Sequence, residues 1–215
     1  MTAEDVIAHD VVTGPKWDRN YAGPDYIFGT EPNEFLAAQA NRFAPRGRIL
    51  VPGDGEGRNG VWLSGQGFDV VSVEASAVGV EKARALAASR GVQPNIQHAN
   101  LDAWIWPVNA FDGVASIFVH FVPSARRALH RRMLNALKPG GILVLEAFTP
   151  KHVEKRAAGG RGGPPPEMLY TEAMLRDDFT GATFELLEEA DVVLDEGSRH
   201  IGRGSVVRLV LRRAQ

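Results

Sequence analysis

The chain has 215 residues, 44% hydrophobic and 23% charged, a balance that fits one substantial globular core and excludes a disordered or fibrous chain. Its formal charge of -2 offers no general attraction to phosphate backbones or anionic lipid, so no nucleic acid and no membrane partner is expected, and a small-molecule ligand is favoured. With no cysteine there are no disulfides, thiolate nucleophiles or Cys-type metal centres.

The first ten residues hold Glu4, Asp5 and Asp10 instead of the basic and apolar regions of a secretion signal. No apolar run approaches the ~18 residues of a membrane span, so a cytoplasmic location is expected. Residues 1–15 end in Thr13-Gly14-Pro15 and read as a flexible tail before a single domain over 16–215. That domain opens with an arm over 16–47. The arm contains the aromatics Trp17, Tyr21, Tyr26 and Phe28, then a helix over 32–43 in which Phe35, Leu36, Ala40 and Phe43 recur at helical spacing.

From residue 48 onward, strands alternate with helices. Short β-branched runs at Arg48–Pro52 and Asp69–Glu74 precede helices near 57–66 and 76–90, and Asn95–His98 forms a third strand. The apolar run 111–121 leads to a helix over 124–137. Lys138-Pro139-Gly140-Gly141 closes that helix, and 142–148 is another buried strand. This order indicates right-handed βαβ units and an α/β fold with helices on both faces of a parallel sheet. Residues 151–170 are rich in glycine and proline and read as a long loop, either a lid or a plain surface excursion. Two final strands, 184–194 and 205–211, are separated by Glu196-Gly197 and Gly202-Arg203-Gly204, a hairpin whose last strand runs antiparallel.

The strongest chemical signal is strand Ile49-Leu50-Val51 running into Gly53-Asp54-Gly55-Glu56-Gly57 and a helix from about Arg58. Glycines there permit positive φ and let a ligand lie on bare backbone, while the free N–H groups of the following helix face it. The spacing is Gly-x-Gly-x-Gly, not the Gly-x-Gly-x-x-Gly of dinucleotide folds, which disfavours a nucleotide-dependent oxidoreductase. Glu74, twenty-one positions after Gly53 at the tip of the second strand, has two carboxylate oxygens to accept the two hydroxyls of a ribose. Asn100-Leu101-Asp102 follows the third strand, where Asp102 either accepts from an adenine amino group or caps a helix.

Ile49 to Asn59, Val73-Glu74, Asn100 to Asp102, Phe111 to His120 and Leu137 to Gly141 resemble the successive motifs of class I S-adenosylmethionine-dependent methyltransferases. Trp17-Asp18-Arg19-Asn20-Tyr21 and Tyr26-Ile27-Phe28-Gly29-Thr30-Glu31-Pro32 resemble the small tellurite-resistance and thiopurine methyltransferase branch. The resemblance implies a Rossmann-like, seven-stranded, mostly parallel sheet with an antiparallel last strand. It implies S-adenosylmethionine as cofactor, held by Trp17, Gly53, Asp54, Gly55, Gly57, Asn59, Glu74, Ala75, Asn100, Leu101, Asp102 and Phe118, and a small acceptor such as a thiol or chalcogen oxyanion. Two positions depart from the family. Val51 stands where an acidic residue is usual, and Asp54 replaces a cysteine, which makes Asp54 the candidate for the cofactor's amino group.

Methyl transfer from a sulfonium is an in-line displacement in which positioning supplies much of the acceleration and a base is optional. Three candidates arise for orienting or deprotonating the acceptor. His120 follows the fourth strand at the edge where α/β sheets bind ligands, Glu146 stands near the end of the fifth, and His200 reaches the same edge if the last hairpin folds inward. Each also has a structural reading: a backbone-bonded histidine, a carboxylate bonded to a loop, and an exposed turn. Arg126, Arg127, His130, Arg131 and Arg132 form a basic cluster whose helical spacing suggests a solvated face. A protein that binds the cofactor without turnover remains the non-enzyme alternative.

Overall fold

The computed structural model describes residues 14–215, so most of the expected tail lies outside the described residues. Gly14 and Pro15, assigned to that tail, instead open helix α1 (Gly14–Tyr21). Gly14 packs on the backbone of Ala75, where no side chain would fit. Asp18 accepts from the Ser76 hydroxyl at 2.6 Å and from Val78 N at 3.2 Å, which fixes α1 against the start of a later helix.

The arm continues into α2 (Glu34–Gln39), capped by the Asn33 side chain, and a 3-10 turn Ala40–Arg42, matching the helix expected over 32–43. Then β1 (Arg48–Pro52), α3 (Arg58–Gly65), β2 (Asp69–Glu74), α4 (Ala77–Ser89), β3 (Asn95–His98), β4 (Phe111–Ile117), α5 (Pro123–Ala136) and β5 (Leu137–Phe148) follow in order. The chain ends with α6 (His152–Ala157), α7 (Glu172–Asp178), β6 (Ala182–Glu196) and β7 (His200–Arg213).

The strands form one seven-stranded sheet in the order β3-β2-β1-β4-β5-β7-β6. β1 pairs in parallel with β2 and β4, β2 with β3, and β4 with β5; β7 is antiparallel to both its neighbours. This is the expected Rossmann-like sheet with its antiparallel last strand. Two buried apolar clusters cover it. One contains Leu50, Val114, Met133, Leu143 and Leu209, the other Leu36, Phe43, Ile49, Leu63 and Val144. Burial on both faces gives the continuous apolar runs read in the sequence.

Four local expectations change. Gly202-Arg203-Gly204 lies inside β7, paired with Val192–Leu194 of β6, because the hairpin turns at Gly197 to Arg199 and its strands are longer than their apolar runs. Residues 151–170 contain α6 and a 3-10 turn at Pro166–Met168 where only loop was expected. Leu137 pairs with Phe111 ahead of a register shift, so β5 starts before Lys138-Pro139-Gly140-Gly141 and the helix ends at Ala136. The basic cluster on α5 is divided as well. His130 and Arg126 both reach the buried carboxylate of Asp178 on α7, at 2.8 Å and 2.7 Å, and so join two helices instead of facing solvent.

Candidate active site

The carboxyl ends of β1, β2 and β4 border a cavity of about 580 Å³, at the edge where open α/β sheets bind ligands. Its first wall is the turn after β1. Gly53 (φ 62°) and Gly55 (φ 59°) hold left-handed backbone; a Cβ on Gly53 would meet the Val119 side chain at 3.0 Å and one on Gly55 the Tyr21 hydroxyl at 2.7 Å. The turn therefore exposes bare backbone to the cavity. Glu74 holds it in place, accepting Gly55 N through Oε2 and Ser76 N through Oε1, both at 2.8 Å. Each oxygen keeps a further lone pair for a ligand hydroxyl. Burial pushes the Glu74 carboxyl above its usual range, against those backbone bonds.

Asn100, Leu101 and Asp102 form the next wall beside Ala75. Asn100 Oδ1 accepts Asp102 N at 3.0 Å, and the exposed Asp102 carboxylate accepts no hydrogen bond among the described residues. Trp17 closes this end, stacked on Tyr21 with centroids 5.2 Å apart and tilted against Phe28 at 6.1 Å. Trp17, Tyr21 and Phe28 thus line the cavity and pack on one another, while Tyr26 packs against the Val61 and Leu86 cluster away from it.

Two members of the cofactor set sit differently from expectation. Gly57 does not line the cavity; a Cβ there would meet Ala83 Cβ at 2.6 Å, so its lack of a side chain serves the packing of α3 on α4. Asp54 contributes backbone only, because its carboxylate turns inward to the Ser72 hydroxyl at 2.6 Å and Gly60 N at 3.2 Å. Burial raises its pKa to about 7, and a group so engaged does not offer itself to an amino group. Asn59 lines the cavity, with its side-chain oxygen accepting Asn33 N at 3.0 Å.

The opposite end of the cavity is built by β4, β5 and the hairpin. Phe118, just past β4, has φ 54°, a conformation costly for an aromatic residue, held by its N–H donating to Glu146 O at 2.7 Å. Its ring stacks on Phe148 at 4.6 Å and meets His200 edge-on at 4.5 Å. Phe28 approaches His200 from the arm at 4.6 Å.

The three acid–base candidates separate clearly here. His120 has both ring nitrogens occupied by backbone: Nδ1 donates to Met168 O at 2.9 Å and Nε2 accepts Phe148 N at 3.2 Å. Burial takes its pKa down to about 3. It is the backbone-bonded histidine of the structural reading, tying the 166–168 turn to the sheet. Glu146 lies outside the cavity lining, paired with Arg208 at 2.7 Å and accepting the Asn33 amide at 2.6 Å.

His200 is different. The hairpin does fold inward, because Gly197 (φ 63°) lies against the backbone of Ile27 to Gly29 where any Cβ would overlap it, and Arg199 N donates to Ile27 O at 3.1 Å. His200 is thereby buried at the cavity edge, with Nδ1 bonded to Glu196 Oε2 at 3.2 Å and no partner for Nε2 among the described residues. Burial lowers its pKa and the Glu196 carboxylate partly offsets this, leaving a neutral imidazole at neutral pH.

Sequence reading missed Glu196 and Arg58. Glu196 and His200 are four positions apart, a spacing that signals a pair on a helix but not across a turn. Residues 162–166, within the segment read as a loop or lid, line the cavity, and the stretch is pinned by Arg161 N to Ile201 O at 2.9 Å.

Residues 49–141 match the methyltransferase domain family. A protein of Arabidopsis thaliana named "Probable thiol methyltransferase 2" is 31% identical over 134 residues, which make up 60% of this chain and 55% of that protein. The chain thus aligns with little more than half the length of this relative. A solved structure described with the conversion of a disulfide bond into a thioacetal group during echinomycin biosynthesis is 21% identical, with a TM-score of 0.75 over 94% of this chain and 92% of that one. TehB from Haemophilus influenzae is 14% identical, with a TM-score of 0.66 over 93% of this chain and 66% of its own. The matched segment contains the glycine turn, Glu74 and Asp102, positions at which the sequence resembles S-adenosylmethionine-dependent methyltransferases. The cradle of bare glycine backbone, Glu74 and the open Asp102 carboxylate fits that cofactor.

Proposed function

We propose that the protein transfers the methyl group of S-adenosylmethionine to a small acceptor bearing a removable proton, of which a thiol is the leading example, and that His200 takes that proton. The observation behind this reading is a single cavity joining the turn at Gly53 and Gly55 to His200. When bound, the cofactor supplies a methyl group on a positively charged sulfur, and in-line attack by the acceptor leaves that sulfur a neutral thioether. Gly53 and Gly55 seat the cofactor on backbone, Glu74 accepts the ribose hydroxyls and Asp102 the adenine amino group. Trp17 and Phe28 cover it and exclude water. Phe118 and Phe148 present an apolar wall on the acceptor side, and His200 Nε2 receives the acceptor's proton as the new bond forms. The thiol named for the Arabidopsis relative and the apolar lining favour a soft acceptor.

Calorimetry with S-adenosylmethionine and with its demethylated product, run against NAD, tests the cofactor; product formation across thiols, chalcogen oxyanions and amines tests the acceptor. Binding of NAD alone overturns the assignment. Binding of the cofactor with no methylated product from the whole panel identifies a protein that binds without turnover.

A further inference from the structure

Resting on the methyl-transfer reading, we propose that Glu196 is a positioning residue, which fixes His200 with its proton on Nδ1 and Nε2 turned to the cavity, and ties it through Arg58 to the cofactor turn. Glu196 is the last residue of β6. Its two carboxylate oxygens receive three donors from three parts of the chain: His200 Nδ1 at 3.2 Å and Arg58 Nη2 at 2.8 Å on Oε2, and Asn33 Nδ2 at 2.9 Å on Oε1. The Asn33 amide is itself immobile, since it also donates to Glu146 and its oxygen caps α2.

A carboxylate can only accept, so Nδ1 must donate, and a neutral imidazole has no second N–H for Nε2. Nε2 is then a lone-pair acceptor at the cavity, beside Gly162, where a Cβ would come within 3.2 Å of it. Burial works to raise the Glu196 pKa, but the bond from His200 and the charge of Arg58 outweigh it and take the carboxyl down to about 2, so the anion is present at any working pH. Besides Glu196 and Arg58, the titratable groups facing His200 are His120 and His152, both with pKa values lowered by burial and both neutral. Among the described residues, Glu196 is the carboxylate bonded to His200, placed to steady a positive charge on it. Arg58 opens α3 directly after the glycine turn, so a displaced turn would move the carboxylate and with it the imidazole.

The test reads the ring nitrogens of His200 by 15N NMR in the full chain, together with turnover. In the wild type Nε2 is expected to show the unprotonated signal and Nδ1 the protonated one. In Glu196→Gln the negative charge is lost and one neutral amide oxygen is left for the His200 and Arg58 donors, so the Nδ1 proton is held less firmly and spreads over both nitrogens, and the acid limb of the methylation rate moves to lower pH. The plateau rate falls about tenfold or more, while cofactor affinity changes by less than about threefold. In a His200→Ala background the same substitution changes turnover by less than about twofold, because Glu196 acts through the histidine. Glu196→Asp, which keeps the charge but withdraws it, is the second variant should Glu196→Gln not fold.

A wild-type Nε2 that bears the proton, an unmoved ring signal and acid limb in the folded variant, or an equal loss without His200 overturns the proposal. The ring signals need no turnover. A chain with the expected tautomer that methylates nothing would thus refute the methyl-transfer reading and leave the positioning by Glu196 standing.

Discussion

The two ends of the cavity are assembled by different means. The cofactor end draws mainly on residues 53–102, where each contact lies in or just after the turn that ends a strand, with Trp17 of the arm closing it. The proposed acceptor end brings together Phe118, Phe148, the 162–168 cover and His200, segments distant in sequence and joined by tertiary contacts of backbone and side chain. Local backbone geometry can make a general cradle; selecting an acceptor needs positions that vary independently of it. This is why a common fold supports many substrates.

If this division holds, substitutions at one end should leave the other intact. The largest effect is expected at His200, where alanine lowers the methylation rate of a protonated thiol by about 10²–10⁴-fold with little change in cofactor affinity, read by steady-state kinetics beside calorimetry. A loss confined to cofactor binding would break the comparison. Conversely, Glu74→Ala removes the acceptor for Gly55 N and Ser76 N, and cofactor affinity should fall about a hundredfold, roughly 3 kcal/mol, with the pH dependence of the remaining turnover unchanged.

The Asp54 carboxyl provides a pH test of the cofactor end. Its folded pKa of about 7 lies above the ordinary 3.8, so the fold prefers the neutral acid; that contribution is complete below about pH 4 and is lost as pH rises through 7. Asp54→Asn, which keeps an acceptor for Gly60 N, should therefore raise the melting temperature at pH 8 and leave it unchanged near pH 4. Equal shifts at both pH values would contradict this. The smallest catalytic effect is expected at His120. His120→Gln should cost about 1–2 kcal/mol of stability through its two backbone bonds, while the acid limb of the rate stays where His200 sets it.

The same contrast explains what could be read from the sequence. The βαβ order, the glycine turn and Glu74 were legible because periodicity, β-branched runs and glycine spacing are local consequences of backbone geometry. The β6–β7 boundaries were misread because Gly202 and Gly204 resemble turn residues, whereas the turn is made at Gly197 by a close approach to the distant arm. Of the three acid–base candidates, His120 and His200 are alike in a sequence. They differ in their partners, backbone groups on both ring nitrogens of His120 and the Glu196 carboxylate on Nδ1 of His200, a matter of tertiary packing. The inward turn of Asp54 was equally hidden, since Ser72 and Gly60 meet it only after β2 and α3 have docked.

The strand order has a consequence for how the chain is made. β7 follows every other strand in the sequence, yet it is inserted between β5 and β6. As the polypeptide emerges from its amino end, the cradle at the glycine turn can close while β5 still offers an unpaired edge, and such edges invite pairing with other chains. Only the arrival of β7 covers that edge. The same strand begins with His200, so the step that covers this edge in the nascent protein is also the step that completes the proposed acceptor site.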